Sequence, residues 1–328
     1  MKKKIIYAAI AAAALAACEE KDPQTMLEKK ETVALEVKLP SVETKVVSVG
    51  SEDAVSSYQV FVYSTDDGML EAYTTIAGTE SSVTLKCTTG PKEIIVLGNA
   101  PDLKSVISLA EMKSTRSRLE HNKVGALVME GSKVTTLSAS SSVQIDLRRL
   151  VSKVRLTRVK VDFENDAYDS LPFELVSVYL MNVPADKKYL MTAASDINSS
   201  PDQWYNKLEY QHNSAYDGIL RDDINKSVKD YQTTHVFYSY PNPYVSDDFS
   251  PTWSPRPTRL VVEARVGGRL YYYPISLPEL KQNTVYDVTL DIIRPGKVSP
   301  IDDMKKNDET FTVTVLEWLP GGTFNEVL

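Results

Sequence analysis

The sequence of 328 residues predicts an all-β protein, built as two β-sandwich domains in tandem with one or two short helices. Many short segments alternate apolar and polar residues, turn residues punctuate them at even spacing, and only one stretch carries helical spacing. A chain of this length also exceeds what one ordinary core of 100–150 residues or so would bury.

The chain opens MKKKIIYAAIAAAALAACEEKD. Lys2, Lys3 and Lys4 precede the apolar stretch Ile5–Ala17, which is shorter than the ~20 residues a membrane-spanning helix needs. A basic start, a short apolar middle and small residues before a cut make a secretory leader. Leu15-Ala16-Ala17-Cys18 resembles the bacterial lipobox, which is cut between Ala17 and Cys18 and carries lipid on the cysteine. Residues 1–17 are then the signal peptide, and two or more acyl chains on Cys18 give stable membrane anchoring where one is marginal. Formal net charge is −7, and loss of the three leader lysines takes it to −10. Such a balance disfavours nucleic acid and offers no basic patch to anionic lipid. With Cys18 acylated, Cys87 has no partner for an intrachain disulfide and reads as a small core residue.

Residues 18–31 are polar and charged and read as a tether. TVALEVKL then places Val33, Leu35, Val37 and Leu39 on one side, a half-buried strand. Residues 40–56 are a long connection with a short VVSV strand inside. SYQVFVYSTDDGMLEAY reads as a hairpin turning at Asp67-Gly68, followed by strands at Ser82–Leu85 and Lys92–Leu97. A helix is predicted where Asp102 can cap and Leu103, Val106, Ile107 and Ala110 recur at helical spacing. Strands resume at VGALVMEG and in SVQIDLRRLVSKVRLTRVKVDF, whose length predicts one strand leaving a first domain and another entering a second. The domains are accordingly 32–150 and 151–328.

The second domain repeats the pattern in FELVSVYLMNV, THVFYSY, TRLVVEARVGGRLYYYPISL, TVYDVTLDII and FTVTVLEW, with Gly267-Gly268 as a hairpin turn. Between Pro184 and Pro255 lies a long segment with little periodicity, a length usually functional or loosely ordered. Its aromatics, Trp204, Tyr205, Tyr210, Tyr216 and Tyr231, either stack on sugars or pin the segment to the sandwich, and pinning is the plainer reading.

Nothing in the sequence marks catalysis, a metal or a cofactor. His121, His212 and His235 lie far apart, and no HExxH, CxxC, phosphate loop or nucleophile elbow occurs. Asp66-Asp67-Gly68 lacks the remaining ligand positions of a calcium loop and reads as a turn, as does Asp222-Asp223.

Six stretches, in family order, resemble the Bacteroidales fimbrillins, the type V pilins. They are VFVYSTDDGML, KEIIVLGNAP, ALVMEGSKVTTL, VQIDLRRLVSKVRL, YYYPISLPELKQNTVYDVTLDI and the closing FTVTVLEW with Trp318. The resemblance implies two transthyretin-like sandwich domains and a structural, non-enzymatic role in a surface fimbria that serves adhesion. It also implies export as a lipoprotein precursor to the outer membrane. The first strand would fill a groove in the N-terminal domain until a trypsin-like protease cuts behind it, and another subunit's C-terminal strand would then replace it.

In this sequence the strand that leaves would be Val33, Leu35, Val37 and Leu39. The donor would be the tail 319–328, with Phe324, Glu326 and Leu328 on one face and Pro320-Gly321-Gly322 as its hinge. The chain has no arginine before Arg116, so Lys45-Val46 is the basic site available for maturation in residues 40–56. If no cut occurs there, the strand and its lipid stay, as in an anchor or accessory subunit. Partners under this reading are other fimbrial subunits, the outer membrane through lipid, and a host glycan or protein receptor. The alternative from another class is a surface lipoprotein that binds glycans through Trp204 and Tyr205 without polymerising.

Overall fold

The computed structural model describes residues 30–39, 52–191, 197, 199–216, 218–246, 253–302 and 310–318. Ala17, Cys18, Lys45, Val46, the VVSV strand and the tail with Phe324, Glu326 and Leu328 lie outside them.

The first alternating stretch forms β1 (Thr32–Lys38), with Val33, Leu35 and Val37 buried and Thr32, Ala34 and Lys38 exposed. It is followed by β2 (Ser57–Ser64), β3 (Leu70–Ala77), β4 (Ser82–Thr88), β5 (Gly90–Gly98), β6 (Arg116–Arg118), β7 (Met129–Leu137), β8 (Ser141–Gln144) and β9 (Arg148–Arg149). They make one sheet in the order β4-β1-β8 and a second in the order β3-β2-β5-β7-β9. The β2–β3 hairpin turns where Gly68 takes a φ of 72°, and Asp67 Oδ1 accepts the Met69 N–H at 3.0 Å.

Strands β2 and β5 are buried on both faces. Tyr58, Val60, Val62, Ile94 and Val96 face the core that holds β1. Phe61, Tyr63, Ile95 and Leu97 face a larger core reaching into the second half of the chain. A sheet covered on both sides reads as continuous apolar sequence, which is why VFVY and IIVL show no alternation of polarity.

The predicted helix is displaced. Helix α1 spans Leu109–Ser114 and is capped by Ser108, whose side chain accepts the Glu111 N–H at 3.2 Å. Asp102 instead closes a turn on the Lys104 N–H at 3.0 Å. Upstream, buried Gln59 satisfies the backbone in place of helical bonds: it accepts from Leu103 N and donates to the carbonyls of Ala100 and Pro101. Leu103 and Val106 reach the core from an irregular segment. The strand expected at VGALVMEG begins only at Met129, because Asn122 Oδ1 takes the Val128 N–H.

The second half comprises β10 (Ser152–Val161), α2 (Asp166–Asp169), β11 (Phe173–Met181), β12 (Val183–Pro184), β13 (Asp186–Lys188), β14 (Trp204–Tyr205), β15 (Arg221–Lys226), β16 (Asp230–Tyr231), β17 (His235–Ser239), β18 (Arg259–Val266), β19 (Arg269–Ser276), β20 (Thr284–Ile292) and β21 (Thr310–Glu317). One sheet runs β16-β10-β20-β21 with β17 also on β10, and the other runs β15-β11-β18-β19. The run predicted as more than one strand carries the end of β8, then β9, and then β10 in another sheet, where β10 keeps its pairing to β20 through a register shift between Leu156 and Arg158. Gly267 and Gly268, at φ 58° and 83°, make the two-residue turn joining β18 to β19.

The long segment, in its described residues, holds the strand expected at THVFYSY, β17, and two that were not expected, β15 and β16. It supplies β15, at an edge of one sheet, and β16 and β17, which both pair with β10 in the other. Asp222 and Asp223, read as a solvated turn, lie in β15. Two motifs behind the resemblance have visible structural work. Asn99, at φ 55°, donates to the carbonyls of Ala54 and Leu127 and accepts from Ser56 N, tying three chain segments together. Tyr286 of Asn-Thr-x-Tyr donates its hydroxyl to the Glu279 carbonyl at 2.8 Å and accepts the Lys281 N–H at 2.7 Å.

Candidate functional site

The site that the sequence singles out is β1 and its groove. β1 is the middle strand of its sheet, antiparallel to β4 from Thr32↔Thr88 to Lys38↔Ser82 and parallel to β8 from Leu35↔Ser141 to Lys38↔Gln144. A parallel neighbour needs a long crossover and cannot be joined by a tight turn. No hairpin therefore ties β1 to the strands beside it; pairing and burial hold it there. The ladder is extended at its ends by Thr89 N to the Glu31 carbonyl (2.8 Å), Leu39 N to the Ser81 carbonyl (2.9 Å) and Ile145 N to the Lys38 carbonyl (3.1 Å).

The inward side chains are the apolar four named from sequence. Leu35 and Val37 are fully buried, and Val33 and Leu39 nearly so. They pack with Leu85, Cys87, Val143 and Ile145 of the flanking segments and with the inner face of β2 and β5. At ~1.5–3 kcal/mol each, four such side chains bury roughly 6–12 kcal/mol gross, an upper bound. Cys87 opposes Val33 in the ladder and is buried, which pushes its thiol pKa up. Beside the start of β1, the buried Lys92 ammonium meets Glu71 at 2.9 Å. Burial alone would raise the Glu71 carboxyl, but hydrogen bonds from Lys92 and Thr88 outweigh it and hold the group below the usual range.

The aromatic segment is pinned inward. Trp204 is buried against Tyr244 and Trp253, Tyr205 lies on buried Tyr216 at 4.4 Å, and Tyr210 packs on Tyr179. These packed rings leave Trp204 no free face for a sugar.

Two constellations were invisible in the sequence. His235 sits between Asp222 Oδ2 (2.8 Å from Nδ1) and the Tyr231 hydroxyl (2.7 Å from Nε2), bridging β15, β16 and β17. Fully buried Lys187 donates to Glu130 Oε1 at 2.9 Å and Gln282 Oε1 at 3.0 Å, while Gln282 Nε2 donates to the same Glu130 oxygen. That cluster joins β7 to β13 and the approach to β20, and its Glu130 and Gln282 line a cleft of about 840 Å³. Pairing of β6 with β13 closes the same junction. Among the described residues no three His, Cys, Asp or Glu side chains are grouped to hold a metal ion.

A fimbrilin from Porphyromonas gingivalis superposes with a TM-score of 0.64 at 15% identity, covering 87% of this chain and 97% of that one. The chain has the fimbrillin fold. A protein from Bacteroides eggerthii, solved as a candidate cell adhesion protein, gives a TM-score of 0.66 at 18% identity over 88% of this chain and 97% of that one. The tip fimbrial protein of P. gingivalis, solved with a C-terminal truncation, gives 0.54 at 12% identity over 88% and 100%. No protein-family model matches the sequence. No curated protein matches it either.

Proposed function

We propose that this protein is a structural subunit of a surface fimbria, exported as a lipoprotein through Cys18 and assembled by strand exchange. Its two sandwich domains would span 32–150 and 151–328. The observation that carries the reading is β1: an apolar strand held between β4 and a parallel β8, with all four of its inward side chains in the core. Its departure uncovers two strand edges and a hydrophobic slot, a template for β-augmentation. Occupation by the tail of another subunit is head-to-tail, does not close on itself, and so builds a filament.

Cleavage at Lys45-Val46 would free β1, whereas retention of acylated Cys18 would leave the subunit as an outer-membrane anchor. The mature N-terminus, read by mass spectrometry, separates these two.

Cys87 offers a direct test, because it stands opposite Val33 of β1 and is buried in the same core. In the full chain it is expected to resist thiol reagents. In a chain beginning at residue 46 it becomes reactive, and a peptide of residues 319–328 protects it again, whereas a scrambled peptide does not. Equal reactivity with both peptides would refute tail donation.

A further inference from the structure

Segments far apart in sequence meet around Trp318, the last described residue before the tail. Its indole is 2% exposed. The Arg149 guanidinium lies 4.3 Å from the ring centroid and the Lys153 ammonium 4.8 Å from it, while Tyr238 stacks alongside at 6.2 Å and 15°. The Trp318 carbonyl accepts from Arg149 Nη1 (3.4 Å) and Asn283 Nδ2 (3.2 Å), and Asn283 Oδ1 takes a second bond from Arg149 Nη1.

Both cations are buried, with side chains 5% and 7% exposed. Burial lowers the Arg149 pKa to about 10 and draws Lys153 down as well, against the pull of Glu52. Their counter-charges come from a third place in the chain. Asp53 pairs with Arg149, and Glu52 Oε2 meets Lys153 Nζ at 2.5 Å. Glu52 also accepts the Tyr238 hydroxyl at 2.5 Å through Oε1, and its carbonyl accepts Arg149 Nε at 3.3 Å. These two acids directly follow residues 40–51, the connection from β1.

A buried cation stays in place only while it is compensated, and a desolvated cation is attracted most strongly to an aromatic face. The acids therefore act on Trp318 through Arg149 and Lys153. We propose that Glu52 and Asp53 are positioning residues for Trp318: by neutralising the two cations they fix the residue that precedes 319–328 in the chain. Withdrawal of Glu52 and Asp53 then loosens Trp318. Any consequence for assembly rests on the strand-exchange reading; the cage itself does not.

The test is fluorine NMR on the full chain labelled with fluorotryptophan, whose three tryptophans are Trp204, Trp253 and Trp318. Trp318→Phe identifies the resonance. In the double variant E52Q/D53N the Trp318 signal is expected to leave its native position while those of Trp204 and Trp253 stay. An unmoved Trp318 signal in the folded double variant overturns the proposal. Arg149→Lys covers the case in which that variant does not fold. It keeps the charge but loses the planar group over the ring, and it too must shift Trp318 alone; an unmoved signal there is equally fatal. Deleting residues 319–328 tests assembly separately: polymers that persist without the tail sink strand donation and leave the NMR result standing.

Discussion

Leu35→Ala is the sharpest probe of the groove. Leu35 is 0% exposed at the centre of β1, opposite Leu85 on one side and Ser141 on the other. Burying a leucine contributes about 1.5–3 kcal/mol, and an incompletely collapsed cavity brings a Leu→Ala change to about 2–5 kcal/mol. With a urea slope of about 2 kcal/mol per molar, a loss of about 3 kcal/mol lowers the unfolding midpoint by about 1.5 M. The matched control is Glu36→Ala on the outward face of the same strand, expected within about 0.5 kcal/mol of wild type. The assay is urea titration followed by hydrogen exchange of the amides in β1, β4 and β8, which isolates this sheet from the rest of the chain. If Leu35→Ala costs no more than Glu36→Ala, β1 does not plug the core and the slot has no energetic basis.

Two further outcomes follow from buried charge. Lys187→Met strands the Glu130 carboxylate against Gln282 and should cost about 3–5 kcal/mol in thermal unfolding. The pair Lys187→Met with Glu130→Leu should recover most of that loss, and additivity of the two changes would refute the coupling. At His121, burial lowers the imidazole pKa below 6.5, and its Nδ1 accepts the Arg118 N–H as a neutral ring must. The unfolded chain therefore takes up the proton first, so stability present above pH 6.5 falls as pH drops towards the folded-state value. Urea midpoints measured down that range should fall less steeply in His121→Gln; parallel profiles would rule the histidine out.

Legibility in the sequence tracked whether a segment's partner was local. TVALEVKL has one face in the core and one in water, so its period of two survives in the letters. Asp67-Gly68 and Gly267-Gly268 were readable because positive φ at those turns is a local demand. The helix was misplaced because Leu103 and Val106 reach the core from an irregular segment, where Gln59, distant in sequence, bonds the backbone at Pro101 and Leu103. In the segment after Pro184 the strand THVFYSY was legible as β17, whereas β15 and β16 were not. β16 is two residues long and pairs with β10 some 70 positions away, and no local pattern encodes that. His235 appeared isolated because Asp222 stands 13 residues off on another strand. The groove's inward residues could be named in advance; the cage around Trp318 could not, since its charges come from residues 52–53 and 149–153.

The mixed ladder around β1 has one more implication. Since β4 and β8 run in opposite directions, a strand between them meets one antiparallel and one parallel neighbour whichever way it lies, and its direction is set by which side chains fit the apolar slot. Any polymer built by seating one subunit's tail in the next subunit's slot is vectorial because donor and slot are different surfaces, so its two ends are chemically different.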